Sequence, residues 1–299
     1  MVTKTLGRIF LETPVLRFNP EPTSPFDPRL LQEGWNRFLG WIYLILISVL
    51  ATAWSRILDE KRWRAIVSDS RPWWIMTYFS FIAIGILISS YLGFSGRLGF
   101  GFWVSLLVLL FGFVAAFLLS IHLNNIHDLE IDRFTNQERP LVKGMLTRAE
   151  LTNIDIGLLL FAFLAASSLG FEMIFLFLTI SGISYIYSAP PLRLRRIFIL
   201  SNLLLGFGAT LVVPLGFLVA SGRSLIAFPL PFLILLFLVI LGFFGFTKDI
   251  KDSESDKKAG ITTLVNYFPQ KIALLIMSAM LFIAVALVGF FFNSIIITV

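Results

Sequence analysis

Carboxylates concentrate in two short polar segments of this chain, each following directly on an apolar run. In the first, Leu123–Arg133, the residues Asn124, Asp128 and Asp132 stand four apart. The segment is expected to prolong the helix before it, so that the three share one face, a turn from each other. In the second, Asp249, Asp252 and Asp256 follow at i, i+3 and i+7, again one face. Carboxylates aligned in this way repel each other unless a cation lies between them. Two carboxylates and an amide oxygen are hard donors, of the kind Mg²⁺ takes together with water and substrate phosphate. A solvated helix end explains either segment alone; two of them on one side of a membrane argue for a site.

Basic residues lie in the neighbouring loops. Arg139-Pro140-Leu141-Val142-Lys143-Gly144 follows the first acidic segment, Lys248 opens the second, and Tyr187-Ser188-Ala189-Pro190-Pro191-Leu192-Arg193-Leu194-Arg195-Arg196 lies between them. The paired prolines stop a helix. The arginines offer bidentate contacts to phosphate oxygens, although basic loops are also what membrane orientation demands. Together the loops describe a pocket for a lipid diphosphate, its head on metal and cations and its tail among apolar helices.

The elements that must carry these groups are membrane helices. Of 299 residues 57% are hydrophobic and 14% charged, against about 45–50% and 25% in soluble domains; the mean hydropathy is +0.88. Apolar runs fall at roughly 38–55, 73–93, 99–123, 154–168, 170–187, 197–220, 225–246 and 272–292, each able to span or nearly span a bilayer. They are continuously apolar rather than alternating, which selects helices over a barrel. The expectation is all-α: a polytopic integral membrane bundle of about eight transmembrane helices. Pro214, Pro229 and Pro231 are expected to kink their helices, and Gly206, Gly208 and Ala209 to offer a small-residue packing face. Cysteine is absent, which excludes disulfides, thiolate metal sites and a cysteine nucleophile.

Lysines and arginines cluster in loops 56–71, 124–150, 188–196 and 247–271, and the intervening loops hold only Arg97 and Arg223. The four basic loops are therefore expected on the cytoplasmic side of a multi-pass cell-membrane protein. The net charge of +6 belongs to that asymmetry and is not a nucleic-acid signal. Residues 1–35, with Pro14, Pro20, Pro22, Pro25 and Pro28, read as an extended tail without a cleavable signal peptide.

Three ordered motifs now stand together: Asn124-Asn125-x-x-Asp128-x-x-x-Asp132, the Tyr187–Arg196 loop, and Asp249-x-x-Asp252-x-x-x-Asp256 ahead of Ala259-Gly260-Ile261-x-Thr263-Leu264. With Arg71-Pro72 before the second run, the chain from about Ser70 to Leu264 resembles the UbiA superfamily of intramembrane prenyltransferases. The resemblance implies two Mg²⁺ sites, one held by Asn124, Asp128 and Asp132 and the other by Asp249, Asp252 and Asp256. It implies that Asp128, Asp132, Asp249, Asp252 and Asp256 are catalytic. Asn124, Asn125, Arg139, Lys143, Tyr187, Arg193, Arg195 and Lys248 would bind substrate. Asn125 stands where the family usually has Asp, and Arg195 where it often has lysine. The implied organisation is a tail (1–35), an extra helix with a basic loop (36–71), and a prenyltransferase domain (72–299) that begins at Pro72 and supplies seven of the eight helices. The implied reaction transfers a prenyl group from an allylic prenyl diphosphate to a lipophilic acceptor.

Two other readings fit parts of the pattern. A CDP-alcohol phosphotransferase also clusters aspartates on membrane helices, but wants an Asp-Gly pair followed by Ala-Arg in one continuous motif, which neither segment has. A transporter or lipid-binding scaffold would use the acids as pathway groups; transporters place such groups near mid-span, whereas these lie at helix ends. His127, beside Asp128, projects about 100° from the metal face and is a weak candidate base; His122, Glu130 and Glu254 are weaker.

Overall fold

A computed structural model describes residues 28–94, 99–197, 199–241, 264–269, 271–280, 282–283 and 285–286. The Pro-rich segment before Pro28 and the second acidic segment, with Lys248, Asp249, Asp252 and Asp256, lie outside the described residues.

Among the described residues every regular element is helical. In chain order the α-helices as far as Ile240 are α1 (Pro28–Leu58), α2 (Glu60–Asp69), α3 (Pro72–Tyr91), α4 (Phe100–His127), α5 (Leu129–Thr135), α6 (Arg148–Leu169), α7 (Phe171–Ser188), α8 (Leu200–Thr210), α9 (Val212–Ser221) and α10 (Leu230–Ile240). Among the described residues six stretches are long and apolar enough to cross a membrane: Gly34–Leu58, α3, α4, α6, α7, and α8 with α9 taken together. Of the last two apolar runs, the described residues include the helices Leu230–Ile240 and Lys271–Met280.

The prolines of these runs act in two ways, Pro214 interrupting its helix as expected and Pro229 and Pro231 departing from the sequence reading. Pro214 sits three residues into α9, and the run 197–220 is broken just before it, at Leu211. A proline ring excludes the carbonyl four residues back and donates no hydrogen bond, so the interruption falls where the missing bond would be. Pro229 and Pro231 do not kink a helix; they begin one, as N-cap and second residue of α10, where the lost N–H has no intrahelical acceptor to forfeit.

The chain divides into two compact units. The first holds residues up to Ser181 and Val212–Ala227. Within it α4 packs along α6, α1 lies against both, and α3 packs along α9. The α3–α9 crossing is backbone-close: a methyl group placed on Gly85 would meet Val213 O at 2.0 Å, and one on Gly216 would meet Ile82 O at 1.9 Å. Small residues serve this purpose in membranes, where tight van der Waals packing must replace the hydrophobic drive between helices. The second unit holds Gly182–Leu211 and Phe228 onward. There Leu241, Ala273 and Met277 form a core flanked by Phe237, Val265, Phe268, Ile276 and Met280. The expected small-residue face is milder in this unit: a methyl group placed on Gly206 would meet Leu241 at 3.2 Å, and one on Gly208 would meet Ile183 at 3.4 Å.

Helix α2 was not expected. The segment 56–71 reads as a basic loop, yet Asp59 caps a helix there by accepting from the Arg62 amide at 3.0 Å. Its apolar side is short but effective. Ala65 is fully buried with Leu146 and Leu151, and Ile66, Ile126, Leu141, Met145 and Ile154 pack around them. Glu150 of α6, whose backbone amide completes a capping box with Thr147, also pairs with Arg62. These contacts hold α2 beside the loop that follows α5.

Candidate functional site

The first acidic segment does not prolong α4 without interruption. Asp128 takes φ −101° and ψ 4°, ends α4 and precedes α5. Aspartate is a poor helix former because its side chain competes for nearby backbone groups, and this bridge region of φ/ψ space accommodates such a bend. Helical backbone bonding nevertheless passes through it: Asp128 N donates to Asn124 O at 2.9 Å and Asp132 N to Asp128 O at 2.8 Å. Asn124, Asp128 and Asp132 thus stay one turn apart. Asp128 and Asp132 are each 3% exposed and Asn125 is 1% exposed; Asn124 is half-buried.

Buried carboxylates need compensation, and Asp132 has it. Arg139 Nη1 donates to Asp132 Oδ2 at 2.5 Å, and Asn136 donates to Oδ1 at 2.9 Å. The same Arg139 nitrogen reaches Asn125 Oδ1 at 2.5 Å, and the Asn125 amide donates to Asp69 Oδ2. Arg139 is placed by the turns after α5, in which Arg139 N donates to Asn136 O and Lys143 N to Arg139 O. Burial pushes the Asp132 carboxyl above its ordinary range; Arg139, Asn136 and Arg71 oppose the rise and Asp69 adds to it.

The other expected residues of this unit separate by environment. Lys143 pairs with Glu138, and both are exposed. Glu130 is exposed and pairs with Arg133 at 3.2 Å. His127 is half-buried. In the second unit, Tyr187 lies in the last turn of α7, and the loop after that helix turns at Arg193 (φ 42°) into a short 3-10 turn, Leu194–Arg196. Tyr187, Arg193 and Arg195 are half-buried. Ile199, just beyond, holds φ 68°, a costly conformation for a β-branched residue, of the sort stored near functional sites.

Sequence reasoning missed two contributions. Asp69 lies at the end of α2, in a segment whose charges read as topology signals alone. Asp155 stands within α6, bonded through Oδ1 to His122 Nδ1 of α4 at 2.6 Å, and both side chains are buried. A lone acid inside an apolar run was a signal present in the sequence, since membrane interiors tolerate such groups only where they are partnered or functional.

Among the described residues no three His, Cys, Asp or Glu side chains gather. Asn124, Asp128 and Asp132, one turn apart, are the hard-oxygen groups that a cation could take there. That donor set suits Mg²⁺, which takes one or two carboxylates and completes its shell with water and phosphate. Toward the membrane interior, the same face of α4 carries Phe117 and Phe113, about 10 and 16 Å before Asn124 along the helix. Tyr78 of α3 meets their rings at centroid distances of 5.2 and 5.5 Å.

The model of the UbiA prenyltransferase family matches residues 78–299. A digeranylgeranylglyceryl phosphate synthase from Sulfolobus acidocaldarius is 28% identical over 147 residues, 48% of this chain and 50% of that protein. The chain thus spans about half the length of this curated relative. Among solved structures, a UbiA homolog from Archaeoglobus fulgidus bound to GPP and Mg²⁺ is similar with a TM-score of 0.61 and 21% identity, over 77% of this chain and 78% of that one. A UbiA homolog from Aeropyrum pernix K1 gives a TM-score of 0.59 and 25% identity, over 71% and 76%. These neighbours share the helical membrane fold. A multi-pass helical chain with this acidic helix end, matched over most of its length by one family model, belongs to the UbiA prenyltransferase family.

Proposed function

We propose that this protein transfers a prenyl group from an allylic prenyl diphosphate to a lipophilic acceptor, with Mg²⁺ as cofactor. The observation that carries the reading is a pair of nearly inaccessible carboxylates, Asp128 and Asp132, at the end of a membrane helix, with a guanidinium bound to one of them. The Archaeoglobus structures with GPP or DMAPP and Mg²⁺ support it, as does the name of the Sulfolobus relative.

In this reading Asn124, Asp128 and Asp132 hold one Mg²⁺, and Asp249, Asp252 and Asp256 a second. Bound there, the metal supplies charge neutralisation for a departing diphosphate. Arg139 stands beside Asp132 to contact the diphosphate, and Asn125 accepts from Arg139. Roles for Lys143, Tyr187, Arg193, Arg195 and Lys248 as further contacts rest on their motifs. The C1–O bond breaks with its electron pair leaving on the diphosphate, the acceptor supplies the pair that forms the new bond at C1, and the acceptor loses a proton. Groups aimed at the leaving oxygen act where charge develops, so they stabilise the transition state more than the bound substrate. The rings of Tyr78, Phe113 and Phe117 offer the allylic cation π-faces and a dry surface.

Incubating purified protein with radiolabelled prenyl diphosphates and a membrane lipid extract, with Mg²⁺ or with EDTA, tests the reaction. A labelled lipid product that requires Mg²⁺ is expected; the absence of any product with every diphosphate would overturn the reading. Glycerol-phosphate lipids are the first acceptors to try, given the product named in the Sulfolobus relative.

Two narrower expectations accompany it. Arg195→Ala should raise KM for the prenyl diphosphate about tenfold, since a charge-assisted bond to phosphate is worth about 1.5–3 kcal/mol; Arg195→Lys should stay closer to wild type. An unchanged KM would leave Arg195 as a topology determinant. The basic loops are proposed to be cytoplasmic. In this cysteine-free chain, Ile226→Cys, at a position 94% exposed, should react with a membrane-impermeant maleimide on intact cells, and Lys61→Cys should be protected. The reverse labelling would invert the topology.

A further inference from the structure

Asp69 is a half-buried carboxylate that the proposed reaction does not use, and it precedes the stretch matched by the family model. Its Oδ2 accepts from the Asn125 amide, although the two residues are 56 apart in sequence. Asn125 is 1% exposed, so water cannot satisfy its amide. A carboxylate only accepts hydrogen bonds and a guanidinium only donates them. Held between Asp69 and Arg139, the Asn125 amide has one workable orientation, its NH₂ toward Asp69 and its carbonyl toward Arg139. The Arg139 nitrogen that meets this carbonyl also meets Asp132 Oδ2, each at 2.5 Å. Negative, neutral, positive and negative groups therefore alternate along one hydrogen-bonded line from α2 to α5.

Helix α2 is built to hold its end of that line. Buried Ala65 and the Arg62–Glu150 pair tie it to the residues that follow Arg139 and to α6. Without that docking Asp69 would be an ordinary helix-end carboxylate in water.

We propose that Asp69 is a positioning residue of the diphosphate site: through the Asn125 amide it fixes where the Arg139 guanidinium sits, which makes α2 a working part of the site. The inference rests on the reading of Asp132 and Arg139 as metal- and diphosphate-binding groups. An amide at position 69 would let either amide turn over, and an inverted Asn125 would present N–H to Arg139. A carboxylate at position 125 would face the Asp69 carboxylate directly. The double exchange, D69N with N125D, keeps both the net charge and the hydrogen-bond line.

The test is the Kd of geranyl diphosphate with Mg²⁺ for the full-length purified protein, measured for wild type, D69N, N125D and the double variant, with Tm recorded for each. Each single variant should bind about tenfold more weakly and the double should return to within about threefold of wild type, as coupled neighbours do. Rescue of Kd by the double exchange is a result that mere loss of stability does not produce. Single variants that bind as wild type, or losses that add in the double, would overturn the proposal. If N125D does not fold, Asp69→Ala and Asp69→Glu decide it: Ala should weaken binding and Glu restore part of it, whereas equal Kd values for both and wild type would overturn it. A wild-type protein that does not bind geranyl diphosphate with Mg²⁺ would instead bring down the functional reading, and this inference with it.

Discussion

Asp128→Asn is expected to lower prenyl transfer by at least about 10²–10³-fold, the scale on which enzymes lose rate when one charge-stabilising group is removed from a reacting centre. The substitution is nearly isosteric and keeps hydrogen-bonding capacity at the junction of α4 and α5, so helix content and Tm should stay near wild type. Asp128 is 3% exposed, which makes its negative charge costly to keep unless a cation compensates it. Asp252→Asn, in the second acidic segment, should behave alike if two metal sites act together. Glu130→Gln is the control two residues on: it is exposed and pairs only with Arg133 among the described residues, and a surface pair of this kind is worth little. Initial rates at saturating Mg²⁺ and prenyl diphosphate decide the matter. Full activity of Asp128→Asn would remove the first metal site from the mechanism, and a Glu130→Gln as damaged as Asp128→Asn would mean that the functional face of this segment was misassigned.

Gly85→Ala and Gly216→Ala should each disrupt the membrane bundle more than any other single methyl addition considered above. The added carbon would stand 2.0 Å from Val213 O in the first case and 1.9 Å from Ile82 O in the second. Both obstacles are backbone, which cannot rotate aside as a side chain does, so α3 and α9 must part along their length. Overpacking against side chains costs about 1–3 kcal/mol, and a clash with backbone belongs at or beyond the upper end. Thermal unfolding in detergent should show Tm lowered by about 10 °C, or the variant should fail to elute as one species. Gly40→Ala is the control: it lies within α1 and its added methyl group meets nothing within 4 Å, so Tm should hold or rise slightly. A Gly85→Ala protein with wild-type Tm would contradict the α3–α9 packing.

The membrane character, the positions of the long helices and the first acidic segment were legible in the residues alone. Each depends on a property that repeats along the chain: twenty apolar residues are needed to cross a bilayer whatever they pack against, and side chains four apart meet on a helix whatever the fold. Asn124, Asp128 and Asp132 could thus be grouped without a structure, and the bend at Asp128 left that grouping intact because backbone bonding passes through it. Local spacing also suggested the wrong behaviour for Pro229 and Pro231, since a proline reads alike whether it bends a helix or starts one until the neighbouring backbone is known. Contacts between distant segments carry no such local mark. Asp69 on Asn125, Arg139 on Asp132, His122 on Asp155 and the crossing of Gly85 with Gly216 each depend on which helices pack together. The burial of Ala65 that brings α2 to the site depends on the same choice. The sequence by itself determined that Asn124, Asp128 and Asp132 stand one turn apart at the end of a membrane helix. The tertiary structure alone decided which charges stand beside them, because charge compensation acts through space over a few ångströms and is indifferent to separation along the chain.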